Sequence, residues 1–195
     1  DVCSSDLHTG EPGGDTWGKL PDAMRAGGET WIAGSYDPDL NLTYWGIAQA
    51  KPWMPASRGN SVFDQALYAA STVALNVDTG KLEWYFQHIP GESLDQDEVF
   101  ERVLVDIGDQ KVVFNIGKAG ILWKLDRKTG KTVWSVTGFP ASWNTPTLVH
   151  VDGHEELVVN SSGKLRAFDP KDGRELWSCQ SIKAAELCPS IVAHD

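Results

Sequence analysis

One phrase recurs along the chain and limits what it can fold into. "ALNVDTGKLEW" runs from Ala74 to Trp84, "KLDRKTGKTVW" from Lys124 to Trp134 and "AFDPKDGRELW" from Ala167 to Trp177. Each has an acidic or polar residue ahead of a Gly, and a Trp four residues past it. The glycines, Gly80, Gly130 and Gly173, are 50 and 43 residues apart, and the tryptophans keep the same intervals. A degenerate fourth copy, "SYDPDLNLTYW", ends at Trp45, 39 residues before Trp84, with Asn41 in place of the Gly. Gly and Asn tolerate the positive φ that a tight hairpin demands, so each copy reads as a turn between two strands. Short strands repeating every ~40–50 residues are the signature of propeller blades, with the Trp wedging one blade against the next. The fold expected is all-β: a partial β-propeller of about four blades of four-stranded antiparallel sheets, an arc of a larger ring of six to eight blades. The ending "CPSIVAHD" is expected to open another blade, as the counterpart of "NTPTLVHVDG" at 144–153.

The rest of the chain fits that frame. "LPDAMRAGG" has room for one short helical turn amid Gly- and Pro-rich loop. A hairpin is expected in "TPTLVHVDGHEELVVN", turning at Asp152-Gly153 with type I′ geometry. Residues 1–7 fit no blade pattern and read as a junction, leaving 8–195 as the propeller segment. Cys179 and Cys188 are close enough for a disulfide, with free thiols equally open; Cys3 lies in the first seven residues. The net charge of −10 with no basic stripe argues against nucleic acid as a partner. No apolar run approaches the ~20 residues that span a bilayer.

Five features stand apart from the repeat. "GGETW" (27–31) sets a large aromatic after two flexible residues. "WGIAQAKPW" (45–53) carries a Gln among small residues. "PGESLDQDEVFE" (90–101) interrupts the strands with Glu92, Asp95, Asp97, Glu98 and Glu101. Lys118 sits in "NIGKAG", and His150 and His154 flank the Asp-Gly turn. The His pair is not on one helix face and is assigned no role.

"GEPGGDTW", "GGETWIAGSYDPDLNLTYWG", "KPW", "ALNVDTGKLEWYFQHIP" and "GKAGILWKLDRKTGK", in that order, make residues 9–131 resemble the pyrroloquinoline quinone (PQQ)-dependent alcohol dehydrogenases, periplasmic eight-bladed quinoproteins. The resemblance implies an alcohol substrate, PQQ with Ca²⁺ or a lanthanide, and a cytochrome c-type electron acceptor. Trp31 matches the indole on which the flat quinone stacks, with Thr30 beside it as a further cofactor contact. Gln49 stands where the family places a metal-ligating Asn; a plain turn amide is the competing reading. Asp95 matches the carboxylate proposed as general base, taking the alcohol proton while hydride moves to the quinone C5, and as a metal neighbour. Leu94 precedes it where the family usually has Trp. Asp97 stands where lanthanide-using members add a carboxylate, against the reading of a solvated acidic loop. Lys118 matches a cationic residue that bonds the quinone oxygens, against a surface Lys at a turn.

Residues 8–139 carry the dehydrogenase-like blades, whereas 140–195 resemble the generic PQQ-like repeat, which also builds non-catalytic propellers of the outer-membrane assembly type. That scaffold is the alternative function. Under the enzyme reading Trp31, Asp95 and Lys118 converge on one central pocket; under the scaffold reading they scatter.

Overall fold

The computed structural model describes residues 8–185 and 187–193. Residues 1–7, with Cys3 and the expected junction, lie outside the described residues. Two compact units are present, one ending at Val99 and the other beginning at Phe100.

The first unit holds one antiparallel sheet, β1 (Ser35–Asp37), β2 (Leu42–Gly46), β3 (Ser71–Asn76) and β4 (Leu82–Gln87), in that spatial order. The second holds two: β5 (Val103–Ile107), β6 (Gln110–Ile116), β7 (Leu122–Asp126) and β8 (Thr132–Val136), then β9 (Thr147–Val151), β10 (His154–Ser161), β11 (Lys164–Phe168) and β12 (Glu175–Gln180). Each is a meander of neighbouring strands. The central strands β3 and β6 are nearly continuous runs of buried residues, as strands covered on both faces must be. The fourth strands β8 and β12 are largely exposed.

About four blades were expected, and the described residues form three sheets. The copy ending at Trp45 belongs to the same sheet as the copy ending at Trp84: β2 pairs with β3 from Leu42↔Asn76 to Gly46↔Thr72. The 39-residue interval between the two tryptophans imitates a blade period because residues 47–70 form a long connection inside one sheet. The segment 188–193 forms no strand. Its Ser190 hydroxyl accepts from Thr145 N–H (2.9 Å), and its Ile191 carbonyl from the Thr147 hydroxyl (3.0 Å).

The repeated turns share one construction. Gly80, Gly130 and Gly173 have φ of 67°, 70° and 76°, and Asn41, which replaces Gly in the degenerate copy, has 53°. Each Gly N–H donates to a carbonyl four residues back: Asn76, Asp126 and Asp169 (2.8, 2.8 and 2.9 Å). The side chains of those three residues accept from the turn amides, which explains the polar residue ahead of each Gly. The strand register shifts at the same place in all three, at Ala74/Leu75, Lys124/Leu125 and Ala167/Phe168. The β9–β10 hairpin turns at Asp152 and Gly153 with φ of 47° and 82°, the pair of positive values that a type I′ turn requires.

Between the second and third sheets lies a core of Val105, Phe114, Leu122, Phe139, Leu157 and Phe168. Trp134 is the expected wedge there. Its ring lies where a Cβ on Gly173 would come within 3.0 Å, and its indole N–H donates to the Lys171 carbonyl (3.2 Å). Short 3-10 turns occupy Gly14–Trp17, Asp22–Met24 and Pro55–Arg58, the second within the stretch expected to hold a helical turn. Cys179 and Cys188 are free and exposed. Among the described residues no helix is long and apolar enough to cross a membrane.

Candidate active site

In a four-strand meander the connections leave alternate edges of the sheet. The Gly turns all leave one edge, joining third strands to fourth. On the opposite edge of the first sheet come the approach to β1 with Thr30 and Trp31, the β2–β3 connection with Gln49, and the segment after β4 with Asp95 and Asp97. Lys118 lies on the β6–β7 connection, the equivalent position in its own sheet. In its own sheet, each candidate residue thus lies on the edge that the Gly turns avoid.

Backbone pairing brings "GGETW" onto "IAQAK". Gly28 bridges Ala50, Ala48 N–H donates to the Glu29 carbonyl, and Lys51 N–H to the Gly27 carbonyl (both 2.8 Å). A Glu29–Lys51 ion pair (3.1 Å) flanks this ladder. Trp31 follows with its indole 55% exposed, so a flat face is open to stack. Thr30 is exposed beside it.

The acidic loop is not solvated throughout, in contrast to one of the readings above. Glu92, Asp97 and Glu98 are buried, whereas Asp95 is exposed at a φ of 60°. Asp97 Oδ1 accepts from Gln49 N–H (3.1 Å), which ties the loop to the "GGETW" ladder. Gln49 Oε1 is buried and has no hydrogen-bond partner among the described residues. Leaving such an amide oxygen unpaired is costly. An orphaned amide oxygen, on a residue whose backbone N–H binds a buried carboxylate, is oxygen-donor chemistry that a hard cation takes, so these residue types fit a metal ion. Among the described residues no group of three or more His, Cys, Asp and Glu gathers as a metal cage. Lys118, half-buried on its turn, holds its ammonium 5.8 Å from the centroid of the Trp143 ring.

Two further residues went unassigned in the sequence. Glu92 Oε1 accepts from the N–H groups of Leu94 (2.6 Å) and Gln96 (2.9 Å), the residues on either side of Asp95. Arg58 is 1% exposed and donates to the Trp53 carbonyl (2.9 Å) and the Pro52 carbonyl. Burial pushes its guanidinium below the usual value, opposed by the charges of Glu92 and Asp64. The signal that finds Glu92 resembles the one in the repeat turns: a side-chain oxygen that accepts from backbone N–H groups two to four residues on. Beside the loop a cleft of ≈ 450 Å³ opens between Trp53, Met54, Pro55, Val62 and Leu94. Leu94, the residue in place of the family's Trp, is 73% exposed at its rim.

The family model "Glucose/ethanol/alcohol dehydrogenase, beta-propeller domain", of the PQQ type, matches residues 6–147. The chain belongs to this PQQ-dependent dehydrogenase family. It is 33% identical over 139 residues to a quinohemoprotein alcohol dehydrogenase of Comamonas testosteroni, covering 69% of this chain and 19% of the relative. Against quinohemoprotein alcohol dehydrogenase ADH-IIG of Pseudomonas putida it is 34% identical over 121 residues, 60% of this chain and 17% of the relative. The chain therefore spans about a fifth of the length of these curated relatives. Among solved structures, a europium-containing methanol dehydrogenase superposes with a TM-score of 0.69 over 94% of this chain and 45% of that one, at 17% identity. The Comamonas testosteroni enzyme superposes at 0.65 over 81% of this chain and 36% of that one, at 21% identity. Those likenesses concern the fold. The family match ends where β9 begins, and the sheet beyond it keeps the same strand order.

Proposed function

We propose that this chain supplies one side of the active site of a periplasmic PQQ-dependent alcohol dehydrogenase that passes its electrons to a cytochrome c-type acceptor. The observation that carries the reading is the Gln49–Asp97 junction, with its orphaned buried amide oxygen, on the strand pairing that also presents Trp31. When bound, PQQ supplies a two-electron acceptor for hydride and the cation supplies Lewis acidity. The chain's own residues do the rest. Trp31 offers the stacking face and Thr30 an adjacent hydroxyl. Gln49 Oε1 and the Asp97 carboxylate are the metal donors. Asp95, exposed beside the apolar cleft, takes the proton of the substrate hydroxyl as general base. Lys118 offers a cationic hydrogen-bond donor for the quinone oxygens. With Asp95 nearby, Asp97 adds a further carboxylate, which suits a lanthanide as well as Ca²⁺, since more negative oxygen suits a more highly charged ion.

The test is reconstitution of the full-length gene product with PQQ plus Ca²⁺ or a lanthanide, followed by dye-linked oxidation of a primary alcohol. Turnover with either ion is expected, and the faster ion identifies the metal. No turnover with both, together with no quinone absorbance retained after gel filtration, leaves a non-catalytic propeller as the reading.

A further inference from the structure

We infer that Glu92 is a positioning residue: its buried carboxylate folds the loop around the two amides that flank Asp95 and so sets where the general base points. The inference rests on the proposed function for its catalytic consequence, but its structural half stands alone. Glu92 Oε1 accepts from Leu94 N–H at 2.6 Å and Gln96 N–H at 2.9 Å. Both bonds close on a side chain that is 4% exposed. The residue they enclose, Asp95, has a φ of 60°, a left-handed conformation that Asp tolerates better than most L residues but still at a cost that the two bonds offset.

The anchor is itself anchored. Gly91, with a φ of 67°, lies so close to the Val62 carbonyl that an added Cβ would stand 1.9 Å from its oxygen. That contact fixes where the loop begins. Arg58 supplies the opposing charge to Glu92. It also donates to the carbonyls of Pro52 and Trp53, on the segment that continues from Gln49. The attraction between the Arg58 and Glu92 charges acts between the metal-donor segment and the base loop, beside the direct Gln49–Asp97 hydrogen bond. A carboxylate suits the task because one oxygen can accept two N–H bonds while the group keeps a charge toward the arginine.

The test compares Glu92→Ala with Glu92→Gln, whose amide oxygen still accepts both N–H groups. In the protein without ligands, hydrogen exchange at the Leu94 and Gln96 amides should speed up by about tenfold or more in Glu92→Ala, the equivalent of one lost charge-assisted bond. The amides of β2 to β4 should exchange as before, and Glu92→Gln should restore most of the protection. In the reconstituted full-length enzyme, kcat of Glu92→Ala should fall by about 10²-fold, the scale of a roughly 1 Å misplacement of a reacting group. The acid limb of its pH–rate profile should move, and Glu92→Gln should return both toward wild type. Unchanged exchange at the two amides in a folded Glu92→Ala protein overturns the inference. So does a wild-type rate and acid limb in that variant. Should the wild-type enzyme itself prove inactive, the proposed function fails while the exchange experiment still decides the role of Glu92.

Discussion

At the scale of single residues, the glycines separate conformational need from steric need. Gly80 and Gly91 share a φ of 67°, yet a Cβ on Gly80 meets nothing within 4 Å and one on Gly91 strikes the Val62 carbonyl. Gly80→Ala should therefore cost about 1 kcal/mol, the left-handed penalty alone. Gly91→Ala adds a backbone clash that no side-chain rotation relieves and should cost about 3 kcal/mol or more. Urea unfolding of the two variants checks the order; equal losses would mean that the 61–63 segment yields freely. The repeat-turn glycines were legible in the sequence because positive φ has a short local signature, and Asn41 shows that the signature survives substitution. Gly91 was not legible as a packing residue, since the carbonyl that excludes a side chain comes from a loop about thirty residues earlier. The burial of Asp97 was hidden for the same reason: its amide partner, Gln49, lies 48 residues earlier and depends on how the chain returns on itself.

At the scale of elements, the same motif position does different work in different sheets. Trp134 packs against the turn of the following sheet, lies 5.5 Å from the Phe114 ring and bonds Lys171. Trp177, at the equivalent place on β12, is 40% exposed and donates to Glu156 within its own sheet (2.6 Å). Trp134→Ala should lose about 3 kcal/mol, while Trp177→Ala should lose about 1 kcal/mol, the worth of one hydrogen bond. Fluorescence-monitored unfolding of each variant distinguishes them. The Lys171 carbonyl also accepts from the buried Lys124 ammonium (3.1 Å). Burial lowers the pKa of Lys124 from its ordinary 10.5, against the opposing pull of Asp169 and Asp172. Between the lowered folded value and 10.5 the unfolded chain binds the extra proton, so stability contributed at this site rises with pH through that window. The unfolding free energy of the wild type should accordingly climb relative to Lys124→Met as pH is raised toward 10. Parallel curves would show that the ammonium is effectively solvated. The sequence announced the Trp wedge through its spacing but gave no sign of this lysine, whose burial depends on the neighbouring sheet's turn.

For the whole molecule, the division between edges has an energetic consequence. Turns that need only geometry occupy one edge of each sheet, and the candidate ligand groups occupy the other. A group that makes no hydrogen bond can be removed with little loss of intrinsic stability, and the Gln49 amide oxygen makes none among the described residues. Its worth should show only when a cation is present. A ligand that binds the folded state alone adds about 2.7 kcal/mol at a hundredfold excess over its Kd. Thermal unfolding of the full-length gene product should thus shift upward with PQQ and the cation and return on chelation. Gln49→Ala should start close to the wild-type midpoint and lose that upward shift. Gly80→Ala, on the opposite edge, should start lower and keep the whole of it. The crossing of these two responses is what separate edges for folding and for binding require; ligand shifts that fell equally in both variants would mean that one network serves both.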